Sequence, residues 1–370
     1  MKAGIVLMGQ NFHEYSAPER EQVPHTRSSD FFRDELRAGE LAASLGFSRI
    51  WVVEHHGTAH GESPQPLQQL AYFAGRTDVD LASSVVVLPW NDPVRVAEQI
   101  AVLDNMVGPG REFTIGVGRG SAKSEFDLFG LELAESNAMF REYWEIIKLL
   151  LTQENVTYHG RWRSFDNLTV LPRPRSTDLI DKTVYSWGSR SSLEFAAGSG
   201  FLPLFVAQGD AAKQSQDMAD FNTIRHGNGL APVRPAMHLN LFVDPDPVRA
   251  EELGRQHLRN FYSATLDHYQ RLDPTHFAAA GNYDETAAIA ARNAQRDRDE
   301  LLDEMCRIQP CGTPEQVLEQ IRARAETVHP SEFGFCLRFG GMTWEETERN
   351  IRTTAELLPT IKSWNPSPTP

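Results

Sequence analysis

Residues 49–56, RIWVVEHH, join an apolar run to three side chains that can hold or transfer a proton. The apolar part is typical of a buried strand, and such strands usually end at Gly, Asn or Pro rather than at a carboxylate and two imidazoles. Because imidazole titrates near neutral pH, a histidine in this place could act as an acid or a base. Glu54, His55 and His56 are therefore a candidate reactive cluster. The alternative is that they only pack and hydrogen-bond at the end of a strand.

A metal site is a second kind of chemistry to weigh for this region. His56 and His60 are four residues apart, with Glu54 and His55 close by. Two histidines at this spacing bind one metal ion when a helix places them on the same face, but the loop-like segment 57–64 predicts no helix. No cysteine lies near in the sequence to complete a site,. The sequence therefore predicts no metal.

The segment GVGRG at 116–120, which ends a predicted strand, is a candidate anion-binding turn. Its glycines allow a ligand to approach the backbone closely, and Arg119 offers a planar pair of donors for a phosphate. A dinucleotide-binding fingerprint is a weak interpretation, because Ser121 stands where the third glycine would be and the strand is the fourth rather than the first. The alternative is a tight turn with an arginine on the surface.

A second candidate anion site begins the segment WGSRSSLEFAAGSG at 187–200. Ser189, Ser191 and Ser192 fall at the predicted N-terminus of a helix, where free N–H groups and the helix dipole favour phosphate. Ordinary capping explains one serine, whereas three hydroxyls and an arginine exceed what capping needs. Two such ends with an imidazole between them predict a phosphorylated cofactor.

Eight short β-rich runs alternate with amphipathic helical segments along the chain. The runs are 3–8, 49–53, 81–89, 112–118, 183–187, 204–207, 237–243 and 333–339. The predicted helices are 30–45, one that starts at Asp92-Pro93, 135–151, 190–199 and 343–361,. This alternation predicts a closed (β/α)₈ TIM barrel with insertions, and the alternative is an open doubly wound sheet. In a barrel, the candidate residues would gather at the carboxyl ends of the strands.

Two segments depart from this alternation. Residues 156–173 alternate with period two about turn residues and predict a β-hairpin insertion,. About 90 residues separate the seventh and eighth runs, too many for one crossover. The polar, alanine-rich part of 265–300 is therefore a candidate lid. We assign 1–362 to a single domain and 363–370 to a Pro-rich tail that cannot continue a helix.

The composition limits the partners and the compartment. A net charge of −14 argues against a nucleic-acid partner, because binding phosphates requires a basic surface,. Three cysteines predict no disulfide framework and are typical of the reducing cytoplasm,. No apolar run approaches the roughly 20 residues that cross a bilayer. We therefore expect a soluble cytoplasmic protein that binds neither nucleic acid nor membrane.

Four segments taken together resemble the bacterial-luciferase-like family of flavin-dependent monooxygenases. They are, in order, WVVEHH, LPWNDPVRVAEQIAVLDNM, REFTIGVGRG and QPCGTPEQVLEQI, and the likeness extends over nearly the whole chain. The resemblance implies a (β/α)₈ barrel with a lid, in which reduced FMN from a separate flavin reductase reacts with O₂ to form a flavin hydroperoxide. It also implies a homodimer and a small apolar organic substrate, such as an aldehyde, a ketone or an aromatic natural-product intermediate.

The resemblance also implies roles for particular residues. His55 would manage a proton during the reaction, and Glu54 would orient or stabilise. The cofactor-binding positions would be Ser84, Val85, Arg119, Gly120, Ser121, Trp187, Gly188, Ser189 and Ser192. A non-prolyl cis peptide is expected between Ser84 and Val85, beneath the flavin ring. The reactive cysteine of luciferases corresponds to Gly118, so no thiol is expected near the flavin.

Two other functions are compatible with the same resemblance. Relatives of this fold use a deazaflavin for hydride transfer without oxygen, and their phosphate-binding ends look alike. A non-catalytic subunit that supports an active partner is the third hypothesis, and the presence of His55 and the phosphate-binding residues argues against it. The EHH run and the QPCGTPEQV segment favour the luciferase branch.

Overall fold

Short strands and longer helices alternate through the computed structural model, which describes residues 1–12, 28–206, 209–278 and 283–364. The strands are β1 (Lys2–Leu7), β2 (Arg49–Val52), β3 (Asp80–Ser83), β4 (Val86–Val87), β5 (Phe113–Thr114), β6 (Gly116–Gly118), β7 (Val156–His159), β8 (Ser164–Leu168), β9 (Val184–Tyr185), β10 (Leu202–Phe205), β11 (Ala236–Asn240), β12 (Phe242–Val243), β13 (Cys311–Gly312) and β14 (Glu332–Cys336). The helices are α1 (Ser28–Ser44), α2 (Pro66–Ala74), α3 (Pro93–Val107), α4 (Lys123–Leu128), α5 (Ser136–Thr152), α6 (Arg190–Gly198), α7 (Ala211–Gly227), α8 (Pro247–His268), α9 (Pro274–Ala278), α10 (Asp284–Asn293), α11 (Arg298–Arg307), α12 (Pro314–Val328) and α13 (Trp344–Ser363). Each predicted strand and helix overlaps an observed one.

The parallel strands close into a barrel. β3 and β4 are two parts of one extended run, and β5 and β6 are two parts of the next, so the ten strands of the main sheet make eight runs. β3 pairs with β5, and β4 pairs with β6. The strand order β4-β6-β9-β10-β11-β14-β1-β2-β3-β5 therefore returns to the two runs in which it began. The expected (β/α)₈ barrel is confirmed, and the open sheet is excluded.

Two predicted strands of the barrel are interrupted. The run 81–89 is split between Ser83 and Val86, and the peptide bond between Ser84 and Val85 is cis, as expected. The run 112–118 is split at Ile115. A pattern of apolar residues indicates an extended run but not the point at which its pairing partner changes, which is why the interruptions were not predicted.

Apolar side chains fill both the interior of the barrel and the space between its strands and helices. Strands β2 and β14 are buried along their whole length, as parallel strands covered by helices must be,. Val6 and Trp51 belong to the interior, whereas the larger outer layer lies between strands and helices. Helix α3 begins as predicted, because the Asp92 side chain accepts the N–H groups of Val94 and Arg95 ahead of the first turn,.

A network of charged side chains fills the amino end of the barrel. Arg49 begins β2, and its buried guanidinium lies 2.5 Å from Glu112 Oε1 and 3.4 Å from Glu332 Oε2. Asp80 is 3.6 Å away, and Trp51 Nε1 donates to Glu332. We assign these residues a structural role, because the chemistry of such barrels gathers at the opposite end.

Two insertions extend the barrel. Strands β7 and β8 form an antiparallel pair within the predicted hairpin segment 156–173. The candidate lid, 265–300, comprises the end of α8, the helices α9 and α10, and the start of α11. Part of it, 279–282, lies outside the described residues, as do Ala207 at the end of a predicted strand and 365–370 of the tail. No described helix is both long and apolar enough to cross a membrane.

Candidate functional site

A cavity of about 300 Å³ opens at the carboxyl ends of the barrel strands. The residues that follow β2, β3, β6 and β9 line it together, although they are far apart in the sequence. The residues predicted to be catalytic or to bind the cofactor all line this cavity except Ser189, and the candidates His56 and Ser191 do not line it. The helices α8 and α10 of the connection before β14 complete the wall with Phe261, Thr265 and Thr286.

His55 follows the end of β2 and has polar contacts at both ring nitrogens. Its Nδ1 is 3.1 Å from Oε1 of Glu125, and its Nε2 is 3.4 Å from the hydroxyl of Tyr269. The ring packs so closely against Gly61 that a Cβ there would lie 2.7 Å from it. When Nδ1 donates to the carboxylate, Nε2 is the nitrogen that can accept a proton. The arrangement is suited to acid–base chemistry.

Glu125 is the partner of His55 that sequence analysis missed. It lies in the short helix α4 after the glycine-rich turn, it is buried, and its Oε1 also accepts the N–H of His56 at 2.8 Å. Burial raises the pKa of Glu125, but its hydrogen bond with His55 and the charges of His55 and His268 outweigh this effect and lower the pKa to about 2. A carboxylate that stays ionised holds the His55 ring in one orientation. Only its place just after the glycine-rich turn could have indicated it, since a single glutamate in a helix has no sequence signature.

Two further buried imidazoles pack beside this pair. The rings of His60 and His268 stack with their centroids 4.3 Å apart, and His55 contacts both edge-on. Burial lowers the pKa of His60 and of His268, so both rings are neutral near pH 7,. His268 belongs to α8, and its Nε2 lies 3.7 Å from Oε2 of Glu125. The candidate lid therefore contributes directly to the surroundings of the reactive imidazole.

These side chains also form a set of potential metal ligands. His55, Glu125 and His268 each present one donor atom, and the three atoms lie within 4.8 Å of one another. Two imidazoles and a carboxylate are ligands that transition metals accept. His55 Nδ1 and Glu125 Oε1 share a hydrogen bond, whereas Glu125 Oε2 and His268 Nε2 have no hydrogen-bond partner among the described residues. The absence of a metal stays a prediction.

Glu54 connects three neighbouring elements of the rim. Its Oε2 accepts the N–H of Val87 at 2.6 Å, and its Oε1 accepts from Asn91 Nδ2 and from His56 Nε2, each at 2.9 Å. Both oxygens are thus engaged, and the side chain is buried. This geometry suits a residue that orients its neighbours, which is the role expected for Glu54.

The glycine-rich turn lies against the cis peptide segment. A Cβ at Gly118 would lie 2.6 Å from Val85, and one at Gly120 would lie 2.6 Å from the ring of Trp90. Gly120 also has a φ of +73°, a conformation that favours glycine,. The guanidinium of Arg119 stacks 4.3 Å from the ring centre of Tyr283, which precedes α10. The turn is therefore closely packed on three sides and presents Arg119 to the cavity.

The N-terminus of α6 is capped from two directions. Ser189 Oγ accepts the N–H of Ser192 at 3.4 Å and donates to its hydroxyl at 3.0 Å, so it acts as an ordinary N-cap,. Ser192 and Gly188 line the cavity. The first N–H of the helix, that of Arg190, donates to the carboxylate of Glu285 at 2.9 Å. A carboxylate from the lid thus occupies part of the predicted anion site.

Several polar atoms that line the cavity are buried without a hydrogen-bond partner among the described residues. They are His60 Nδ1, Ser84 Oγ, Trp90 Nε1, Glu125 Oε2, His238 Nε2 and Asn240 Nδ2. Unpartnered buried polar atoms are rare in native proteins, and each is available to a bound ligand or to water. Cys336 also lines the cavity, so its wall contains a thiol, and the expectation that no thiol lies near the flavin stays a prediction. The cysteine comes from β14, which aligns with none of the sequence motifs, and burial raises its pKa, so it stays a thiol.

Comparison with known proteins identifies a family for almost the whole chain. A family model described as luciferase-like monooxygenase matches residues 1–329. Among curated proteins, the alkanal monooxygenase alpha chain of the Kryptophanaron alfredi symbiont is 24% identical over 308 residues, which cover 82% of this chain and 85% of that protein.

Several solved structures have the same fold as this chain. Monooxygenase RslO1 from Streptomyces bottropensis matches with a TM-score of 0.75 and 25% identity over 98% of this chain and 100% of that one. The oxygenating component of 3,6-diketocamphane monooxygenase from Pseudomonas putida, in complex with FMN, has a TM-score of 0.72 and 16% identity over 96% and 97% of the two chains. An F420-dependent secondary alcohol dehydrogenase has a TM-score of 0.68 and 16% identity over 97% and 98%.

Proposed function

The chain belongs to the luciferase-like monooxygenase family, and from this premise we propose that it binds reduced FMN and uses O₂ to oxygenate a small apolar organic substrate. A separate flavin reductase would supply the reduced cofactor, and the chain would act as a homodimer. The observation that carries the proposal is a single cavity that joins two anion-binding turns to an imidazole held by a buried carboxylate.

The phosphate of FMN fits the end of the cavity between β6 and α6. Arg119 offers a planar guanidinium, Ser121 and Gly188 offer backbone next to it, and Ser192 offers a hydroxyl at a helix N-terminus,. Ser189 would act through the cap that positions Ser192. The glycines at 118 and 120 support this assignment, because any side chain there would fill space against the cis peptide segment or Trp90.

The ring system of a flavin fits the middle of the cavity. The segment Ser84–Val85 and Trp187 form part of its wall. Ser84 Oγ, His238 Nε2 and Asn240 Nδ2 have no hydrogen-bond partner in the described part of the chain, and the carbonyl and nitrogen atoms of a flavin ring would satisfy them,. The structure of a related fold with bound FMN supports the same choice of cofactor.

Reduced FMN, when bound, supplies the electrons that activate O₂. The residues of this chain would control protons and water around it. Nε2 of His55 would accept or return a proton at the reacting centre, while Glu125 keeps Nδ1 protonated and stabilises the imidazolium form,. Glu54 would hold the strand ends in register.

The lid is part of this proposal. Tyr269, Arg271, Tyr283 and Thr286 all come from the segment 265–300 and line the cavity. Tyr283 also donates to the carbonyl of Gly120 at 3.3 Å. These contacts would exclude water from the reacting centre when the segment is closed.

The test is a product screen with labelled oxygen. The full chain is mixed with reduced FMN, ¹⁸O₂ and a panel of apolar aldehydes, ketones and aromatic compounds, and products are analysed by mass spectrometry. We expect one labelled oxygen atom in a product. His55→Ala should lose turnover while keeping FMN affinity, and His159→Ala, at an exposed position on the hairpin, should keep both.

Two outcomes would replace the proposal. Reduction of a substrate by reduced deazaflavin under nitrogen, without labelled product in the oxygen screen, would establish the hydride-transfer alternative, which the likeness to an F420-dependent fold supports. Failure to bind FMN in either redox state would instead favour a non-catalytic subunit.

A further inference from the structure

Arg271 is held at the end of α8 by a fixed backbone turn. Gln270 has a φ of +49°, in the left-handed region, and reverses the chain. The N–H of Arg271 donates to the carbonyl of Leu266 at 2.9 Å, and that of Gln270 donates to Asp267 at 3.2 Å. These two bonds are those of a Schellman motif, which ends a helix in a defined geometry. The position of Arg271 on the cavity wall is therefore set by the helix end.

Among the described residues, the guanidinium of Arg271 has aromatic neighbours and no anionic one. It lies 5.3 Å from the ring centre of Tyr269 and 5.9 Å from that of Phe277. No carboxylate of the described residues forms an ion pair with it, and burial lowers its pKa. Such ring contacts offset only part of the cost of removing a cation from water. Among the described residues, this half-buried side chain thus lacks the anionic partner that a buried arginine normally has,.

Each of the other charged groups of the cavity has at least one hydrogen bond or ring contact, although Oε2 of Glu125 has no hydrogen-bond partner among the described residues. Glu54 accepts three hydrogen bonds, and Glu125 is held by His55 and the N–H of His56. Arg119 stacks on Tyr283 at the phosphate end. Arg271 instead stacks on Tyr269, whose hydroxyl is 3.4 Å from Nε2 of His55. Arg271 therefore contacts a residue of the reactive end of the cavity, Tyr269, and it also lies near Phe277 and Tyr283.

We propose that Arg271 binds a carboxylate of the substrate, so that the substrate is an organic acid with an apolar body rather than a neutral aldehyde or ketone alone. A planar guanidinium binds a carboxylate through two parallel hydrogen bonds, which fix both the distance and the orientation of the ligand. The carboxylate would sit beside Tyr269 and direct the apolar body toward His55. This inference rests on the proposed function, because the bound acid is a substrate only if the protein is the proposed oxygenase.

The test compares matched acids and amides. The full chain, with and without saturating oxidised FMN, is titrated calorimetrically with 2-naphthoate and octanoate and with their primary amides. We expect each acid to bind at least about tenfold more tightly than its amide. Arg271→Met should abolish this preference, Arg271→Lys should retain part of it, and Arg292→Met, at an exposed position in α10, should retain all of it.

The same titrations separate the substrate from the cofactor phosphate. Arg271→Met should leave the affinities for FMN and riboflavin unchanged. Weaker binding of FMN but not of riboflavin would overturn the inference and assign Arg271 to the phosphate, and so would acids that bind no better than amides to the unmodified chain. If FMN does not bind while the preference for acids still depends on Arg271, the proposed function fails and the anion site stands.

Discussion

At the scale of single residues, the reactive centre is a histidine whose partner has no sequence signature. His55 could be selected from the sequence because it follows a run of apolar residues at the end of a predicted strand, where an imidazole is unusual. Glu125 lies 70 positions away, in a short helix, and becomes a partner only because both β2 and β6 end at the same rim. The same reasoning applies to His268, which lies in the lid. Single side chains brought together by the closure of a barrel cannot be found from local patterns.

Glu125→Gln tests this pairing. The amide keeps the size of the side chain and can still accept the N–H of His56, but it cannot stabilise a protonated His55. We expect the rate of single-turnover oxygenation to fall by about 10²-fold. FMN affinity should change little, and the pH at which activity is half-maximal should move. The measurement is rapid mixing across a pH series. One solution holds the protein with bound reduced FMN, and the other holds the substrate in oxygen-saturated buffer.

Glu132→Gln is the matched control, because Glu132 is an exposed carboxylate close to Glu125 in the chain. It should behave like the unchanged protein. An unaltered rate and pH profile in Glu125→Gln would show that the carboxylate only packs against the imidazole.

At the scale of elements, the ends of helices position the site, and some of these ends were predictable. The start of α3 follows from Asp92 and Pro93, and the serines at the start of α6 were recognised as a helix N-terminus,. Ser189 caps the helix, whereas Ser192 lines the cavity. This difference depends on side-chain rotamers, which a sequence does not define. The contact between Arg190 and Glu285 spans 95 positions and crosses from the barrel to the lid. It follows from tertiary packing alone.

Glu285→Gln tests the consequence of that contact. The Glu285 carboxylate accepts the first N–H of α6, where we propose that the phosphate of FMN binds. Because two anions compete for one positive helix end, removal of this charge should strengthen FMN binding by about two- to fivefold. The change should be smaller at high salt, and riboflavin, which has no phosphate, should be unaffected. Fluorescence quenching titrations measure both ligands.

Glu300→Gln, at an exposed position in α11, controls for the general loss of negative charge from the lid. Weaker FMN binding in Glu285→Gln would contradict the competition and would mean that Glu285 instead holds the lid over the cofactor.

At the scale of the whole molecule, the two ends of the barrel differ in their charge chemistry. The alternation of strands and helices was enough to predict the closed cylinder, because eight such units leave few other arrangements. It could not predict that Arg49 and its carboxylate partners fill one end. The alternation also could not predict that neutral imidazoles lie together at the other end of the barrel. His60, His238 and His268 are all buried there, and burial lowers the pKa of each.

These imidazoles should make the protein sensitive to mild acid. The pKa of His238 is lowered by burial from 6.5 to about 3, so between these values the unfolded chain binds a proton that the folded protein excludes,. Its contribution to stability is complete above about pH 6.5 and is lost as the pH falls toward 3. His60 and His268 act in the same direction. Glu125, with its pKa lowered to about 2, adds a further loss only below about pH 4.5,.

We therefore expect the free energy of unfolding, measured from urea midpoints at pH 7.5, 6 and 5, to fall as the pH falls. Each buried imidazole contributes up to about 1.4 kcal/mol per pH unit in this range. His238→Asn replaces one of them with a group that does not titrate, so its stability should depend less steeply on pH. His159→Asn changes an exposed ring and should follow the unchanged protein. Equal stability at pH 7.5 and 5, or identical slopes for His238→Asn and the unchanged protein, would mean that the cavity admits protons to these rings in the folded state.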